Sequence, residues 1–179
     1  WADELGIVVA MADRAHRIHE VLAADSSVTE HEMLALQLDT RLNRYDLYRD
    51  ILLETIRRLG VPGDLPLELV IKEWNGTADA DQVALPVLNT WREAIHRNMA
   101  ANLLHWMPGG RRISHRSVIR EEAVMRLLEE RPPHMLSSRW ENWDQFLGEV
   151  LNIVRVQHPP GVELTPWGKM NMSHIQHPI

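Results

Sequence analysis

Apolar residues recur along most of this chain at intervals of three and four, the spacing that gathers them on one side of an α-helix. Over residues 12–24, Ala15, Ile18 and Leu22 share a face with Met11 one turn earlier, while Arg14, Arg17 and Glu20 lie towards the other side. Ser26-Ser27 breaks this helix before a well-marked start signal, Val28-Thr29-Glu30-His31-Glu32-Met33. Thr29 can accept from the Glu32 N–H, Glu32 can reach back to the Thr29 N–H, and Val28 and Met33 sit where a hydrophobic staple forms. The helix from Glu30 is expected to break near Gln37–Thr40, with Asp39 capping a new start. From there Leu42, Tyr45, Tyr48, Leu52, Ile56 and Leu59 keep a helical period as far as Gly60, the expected stop, with Pro62 and Gly63 just beyond. The block 12–59 thus reads as a helical hairpin core.

Residues 61–83 read as loop and short helix: Leu65-Pro66 starts a turn, ELVIKEW is a brief apolar run, and Asn75-Gly76 is a turn dipeptide. A long helix follows, capped by Asp81, with Pro86 near its first turn and Val87, Trp91, Ile95, Met99, Leu103 and Trp106 on its buried side. Pro108-Gly109-Gly110 ends it. The next helix spans about 117–130, with Ile119, Ala123, Val124, Leu127 and Leu128 inward, and stops at Pro132-Pro133. Asn142 or Asp144 opens the last long helix, whose stripe is Phe146, Leu147, Val150, Leu151 and Val154. A Pro-initiated turn at Thr165-Pro166-Trp167-Gly168 comes next, and MNMSHIQH at 170–177 alternates at period two, as a short strand would. The expected architecture is all-α: an irregular bundle of five or six main helices in one domain over 1–179, with that possible strand at the C-terminal end. A lone strand needs a partner to complete its ladder. Together with the opening Trp1 and the His-Pro-Ile close, that suggests a fragment of something larger.

Composition narrows the function. At 179 residues the chain can bury about 70% of its unfolded surface. Its net charge of −6 and pI near 5.9 argue against a nucleic-acid-binding module. The densest basic run, RRISHRSVIR at 111–120, is followed at once by two glutamates and reads as a solvated helix face. With no cysteines, disulfide scaffolds and thiolate metal sites are excluded. No stretch approaches the roughly 20 apolar residues of a membrane span, and no signal-peptide pattern opens the chain.

Ten histidines raise the question of metal. His16 and His19 are three apart, as are His174 and His177, but only Glu93-Ala94-Ile95-His96 fits the Glu-x-x-His element that a carboxylate-bridged di-metal bundle needs on two helices. His31-Glu32 is followed by Met-Leu-Ala, so HExxH is absent too. Nor is there a G-x-S-x-G elbow, a Walker loop or G-x-G-x-x-G. The seven tryptophans fall on apolar helix faces or between helices, as packing residues do. The residues read alone say a soluble helical domain and stop there, with a non-enzymatic helical interaction module and a His-dependent metal-binding helical protein as the alternatives.

One family orders these pieces in the same way. Arg14-Ala15-His16-Arg17-Ile18, the capped Thr29-x-x-Glu32-Met33, Leu36-Gln37-Leu38-Asp39-Thr40 and the paired Leu52-Leu53 resemble, in that order, the R-x-x-R-I element, capped helix, I/L-Q-x-D segment and following helix of the penicillin acylase (penicillin amidase) family of N-terminal-nucleophile hydrolases. Glu73-Trp74-Asn75-Gly76 resembles its W-D-G turn, with Asn in place of Asp, and Leu88-Asn89-Thr90-Trp91 its helix with a similarly placed aromatic. Ser138-x-Trp140, Trp143-Asp144-x-Phe146-Leu147, Trp167-Gly168 and His177-Pro178-Ile179 resemble its later segments, though Asn171 stands where many members carry His.

The resemblance implies an interior piece of the β subunit of an enzyme that hydrolyses the amide of an N-acylated small molecule, of β-lactam or acyl-homoserine-lactone type. It implies a nucleophile outside this chain, an Asn and backbone N–H groups at the oxyanion, and the remainder of the β subunit and the α subunit as partners, with neither nucleic acid nor membrane. It further implies a periplasmic or secreted location. No cofactor is identifiable in the chain, although the parent enzyme has room for a structural calcium. Arg14 matches the family arginine that positions the oxyanion-hole Asn and the substrate, while Gln37 and Asp39 match positions read as structural, in capping or buried hydrogen bonding.

Overall fold

In a computed structural model of the chain, residues 13–24, 27–104 and 119–172 are described. Eight α-helices lie among them: α1 (Asp13–Ala24), α2 (Glu30–Gln37), α3 (Tyr45–Leu59), α4 (Leu65–Lys72), α5 (Ala84–Leu104), α6 (Glu121–Glu130), α7 (Trp143–Gln157) and the short α8 (Trp167–Met170). Short 3₁₀ turns precede α4 at Pro62–Asp64 and follow α6 at Pro133–Met135. The fold is all-α. Among the described residues there is no strand, only an isolated antiparallel bridge between Arg41 and Thr77. The expected strand at 170–177 fails at its first residue, because Met170 closes α8; residues 173–177 lie outside the described set, as do Trp106, Pro108–Gly110 and most of the basic run at 111–120.

The core is α3, α5 and α7 packed on one another, with α4 against α3 and α5. Val87, Trp91, Ile95 and Met99 on α5 and Phe146, Leu147, Val150, Leu151 and Val154 on α7 are all inaccessible or nearly so, as their spacing predicts. Trp140 and Trp143 both meet the Phe146 ring edge-on, at centroid distances of 5.0 and 5.6 Å. On α3 the buried face is broader than one stripe, taking in Ile51, Leu53 and Thr55 besides Tyr48, Leu52 and Ile56, because three helices surround it. Leu59, expected on that stripe, is 38% exposed at the frayed last turn.

Of the expected helix starts, one holds and one moves. Asn142 caps α7 by accepting from the Gln145 N–H at 2.9 Å, as expected. Asp81 does not cap α5, which begins three residues later. It sits instead in a tight turn whose Ala80 and Gln82 carbonyls accept the N–H groups of Gly168 and Trp167, both at 2.8 Å. A Cβ on Gly168 would lie 2.8 Å from the Ala80 Cβ and 2.9 Å from its carbonyl oxygen, so the backbones can meet only at glycine. On α6, Ala123 is exposed; the inward row is Glu121, Val124 and Leu128, a spacing of three and then four.

Two loops are held from the core by side chains. Asn102 donates to the Met135 carbonyl and accepts from the Ser137 N–H, each at 2.6 Å. Asp64, almost wholly buried, accepts from Arg155 through both oxygens and from the Val61 N–H, fixing the α3–α4 corner to α7. The Arg155 guanidinium outweighs the burial of Asp64 and holds its carboxyl below the usual range.

Candidate functional site

Arg14, the expected active-site arginine, sits at the leading edge of α1 on the surface. Its guanidinium turns towards the end of α2. NH1 donates to the Asp39 carbonyl at 2.8 Å, and NH2 to the carbonyls of Leu36 and Gln37 at 3.0 and 2.6 Å. Leu36 and Gln37 close α2, where a helix runs short of partners for its carbonyls and its dipole favours a cation, and Asp39 lies two residues beyond. Two donors are left, Nε–H and the second N–H of NH1, and neither takes an acceptor among the described residues.

The acceptor side is prepared by the local sequence. The Thr29 capping box forms as the sequence predicts: Glu32 N–H to Thr29 Oγ1 at 3.3 Å and Thr29 N–H to Glu32 Oε2 at 2.8 Å. Leu36 is the only residue of α2 that is buried. Val28, Met33, Leu34 and Leu38 remain between 37% and 71% exposed, so the expected staple lies at the surface. The chain breaks at Gln37 as expected, but Asp39 does not cap α3; the residue before that helix is Arg44, which makes no side-chain cap. Asp39 instead closes a turn on the Arg41 N–H at 2.8 Å and accepts from Arg17 Nε at 2.8 Å. Partial burial works against its charge, yet the Arg41 N–H and the Arg17 guanidinium prevail and keep its carboxyl below the usual range. Gln37 takes part only through its carbonyl. Its side chain is exposed and forms no buried bond.

The Arg41–Thr77 bridge ties this link to the Trp74–Gly76 turn. The Leu42 N–H donates to the Gly76 carbonyl at 2.9 Å, and the Ala78 N–H to the Thr40 carbonyl at 2.8 Å. Gly76 has φ +85°, a left-handed conformation suited to glycine, and Asn75 Oδ1 accepts the Thr77 N–H at 3.1 Å, the bond an Asp could also accept. Trp74 is buried and donates Nε1–H to the Thr77 carbonyl. The W-N-G element therefore shapes the floor beneath the Asp39 turn.

A second constellation escapes a reading of the sequence. Glu121, at the first turn of α6, is buried among Tyr48 of α3 and Arg92 and His96 of α5. Tyr48 donates its hydroxyl to Glu121 Oε1 at 2.6 Å, and Arg92 donates Nε–H to the same oxygen at 3.0 Å and NH2 to the other. Because the Tyr48 hydroxyl directs its proton to Glu121, the 2.9 Å contact between its oxygen and His96 Nε2 requires the imidazole to donate. Burial alone would raise the Glu121 pKa. The His96, Arg92 and Tyr48 donors overcome it and bring the carboxyl down to about 2. Burial and the adjacent Glu121 charge raise the Tyr48 hydroxyl well above its ordinary value. At neutral pH this is a saturated, ionised brace rather than an acid or base awaiting a substrate. Its trace in the sequence is the apolar-row position of Glu121 with Val124 and Leu128.

Of the expected histidine groupings, His96 enters this brace beside Glu93, which pairs with Arg92. His16 and His19 lie on the exposed side of α1. Among the described residues no three His, Asp or Glu side chains are placed to hold a metal ion, and His174 and His177 lie outside them. Nor is any helix among the described residues long and apolar enough to cross a membrane.

The penicillin amidase family model matches the chain over residues 2–179. No curated protein matches it, and no solved structure does.

Proposed function

The chain belongs to the penicillin amidase family, and from that premise we propose that it is the helical portion of an amidohydrolase that cleaves the amide bond of N-acylated small molecules. The catalytic nucleophile lies outside these 179 residues. The observation that carries this reading is the family match across nearly the whole chain, and the disposition of Arg14 agrees with it. Two of its nitrogens lock onto the end of α2 and fix the plane of the guanidinium, leaving Nε–H and one N–H of NH1 for an outside acceptor. An arginine so held offers an oriented, permanently charged donor to an oxyanion-hole Asn or to the substrate.

In this mechanism an N-terminal Ser, or a related nucleophile, attacks the amide carbonyl. Its own α-amino group, with an ordinary pKa of roughly 7.7–8.0, takes the proton near neutral pH. An Asn side chain and backbone N–H groups hold the developing oxyanion, with Arg14 as a positioning residue behind them. The substrates are acylated amines of the β-lactam or acyl-homoserine-lactone type, the partners are the remainder of the β subunit and the α subunit, and the enzyme works in the periplasm or outside the cell. In this reading residues 1–179 act as one helical unit.

The test is the complete gene product, assayed for release of the acyl acid from both substrate types, with mass spectrometry of its mature termini. A Ser, Thr or Cys newly exposed at an N-terminus supports the reading, and a product with neither such a terminus nor amidase activity refutes it. In that enzyme Arg14→Lys keeps the charge but loses the planar fork, and kcat/KM is expected to fall about 10²-fold with little change in Tm.

A further inference from the structure

We propose that the recess between α1 and the α2–α3 link is a binding site for a small oxyanion, either the carboxylate of a small acid or inorganic phosphate. The recess is lined by His16, Arg17, Arg41, Asn43 and Arg44, with no Asp or Glu among them. Its volume is about 20 Å³, and since roughly 10–15 Å³ by the same measure admits one water, it takes one compact group with the rest of the molecule outside. The proposal does not depend on the amidase reading.

Three carboxylates already meet the lining residues. Asp39 holds Arg17 Nε at 2.8 Å, Glu20 holds Arg17 NH1 at 3.0 Å, and Glu122 holds Arg44 NH1 at 2.8 Å. Asn43 Nδ2 reaches Glu20 Oε2 at a long 3.4 Å. These contacts orient Arg17 and Arg44, and Glu20 bridges Arg17 and Asn43 at the edge of the recess. Arg17 NH2 and the whole Arg41 guanidinium take no acceptor among the described residues. Arg41 stands over Gly76, its Cζ 4.0 Å from where a Cβ would be, so the glycine turn gives it space.

A bound anion would meet the Arg41 guanidinium and Arg17 NH2, the donors that the neighbouring carboxylates leave over, and accept forked N–H pairs from them. The anion would also join two parts of the fold. His16 and Arg17 belong to α1, whereas Arg41, Asn43 and Arg44 belong to the link that enters α3. Binding to the folded state alone stabilises it by mass action.

The experiment titrates the full 179-residue chain with sodium phosphate, sodium acetate and sodium chloride at matched ionic strength. Binding is followed by calorimetry and Tm by thermal unfolding, in the wild type, in Arg41→Gln and in a control, Arg97→Gln, at an exposed arginine on α5. Saturable binding of phosphate, acetate or both at millimolar concentration is expected, with Tm rising above that in chloride; which of the two binds identifies the source. Arg41→Gln should weaken it about tenfold, and Arg97→Gln should leave it unchanged. Because the Arg41 side chain braces nothing else described, Arg41→Gln should unfold at the wild-type Tm in chloride, so lost binding is not lost folding. Equal effects of all three salts, no binding of either oxyanion, or equal weakening by both variants overturns the proposal.

Discussion

The two ends of this molecule use polar groups in opposite ways. In the α3–α5–α7 core, with α6 laid against it, each charged group drawn inside is met by partners: Glu121 by Tyr48, Arg92 and His96, and Asp64 by Arg155 and a backbone N–H. At the α1–α2 platform the bonds are formed at the surface, between guanidinium groups and carbonyls or carboxylates, and the apolar side chains of α2 other than Leu36 face outward. The core uses ionic groups to fix one arrangement of helices. The platform uses them to present a side chain. That difference separates residues whose loss should unfold the chain from residues whose loss should alter only what it does.

The largest effect should come from Glu121→Ala, which strands Arg92 and His96 in the interior. A loss of about 3–5 kcal/mol is expected, measured by denaturant unfolding. A loss below 1 kcal/mol would mean that the brace is no more than surface pairing. The same carboxylate sets an acid limit. Its folded pKa of about 2 lies below the ordinary value of 4.5, so its contribution is fully present above about pH 4.5 and disappears as pH falls towards 2. Unfolding followed against pH should show wild-type stability falling across that window, with Glu121→Gln flatter there.

Next in size is Gly168→Ala, which forces a methyl group against the Ala80 backbone. It should cost about 1–3 kcal/mol by thermal unfolding. Thr29→Ala should cost about 1 kcal/mol, confined to α2. Helical content should fall slightly while the Tm of the core barely moves.

What the sequence reveals divides along the same line. The helices of the core were legible because Trp91, Ile95, Phe146 and Val150 recur with the helical period and are buried for that reason alone. The Thr29 box and the Asn142 cap were legible because capping depends on residues only three apart. Asp81 misled because its turn is determined by Trp167 and Gly168, more than 80 residues away, and Asp39 misled because Arg17 and the Arg41 N–H outcompete a cap on α3. The Glu121 brace joins three helices and has no local signature beyond a charged residue on an apolar row. For Arg14, residue order suggested the position, but its three carbonyl acceptors depend on where α2 ends, which only the fold determines.

The central claim is that the platform is attached by surface polar bonds while the core is built by burial. Amide hydrogen exchange on the whole chain, at low and high salt, tests it directly. Amides of α3, α5 and α7 should exchange only through global unfolding and change little with salt. Those of α1 and α2 should exchange through a lower-energy local opening that salt makes easier, since exposed ion pairs are screened. Protection of α1 equal to that of α5 and indifferent to salt would contradict the account.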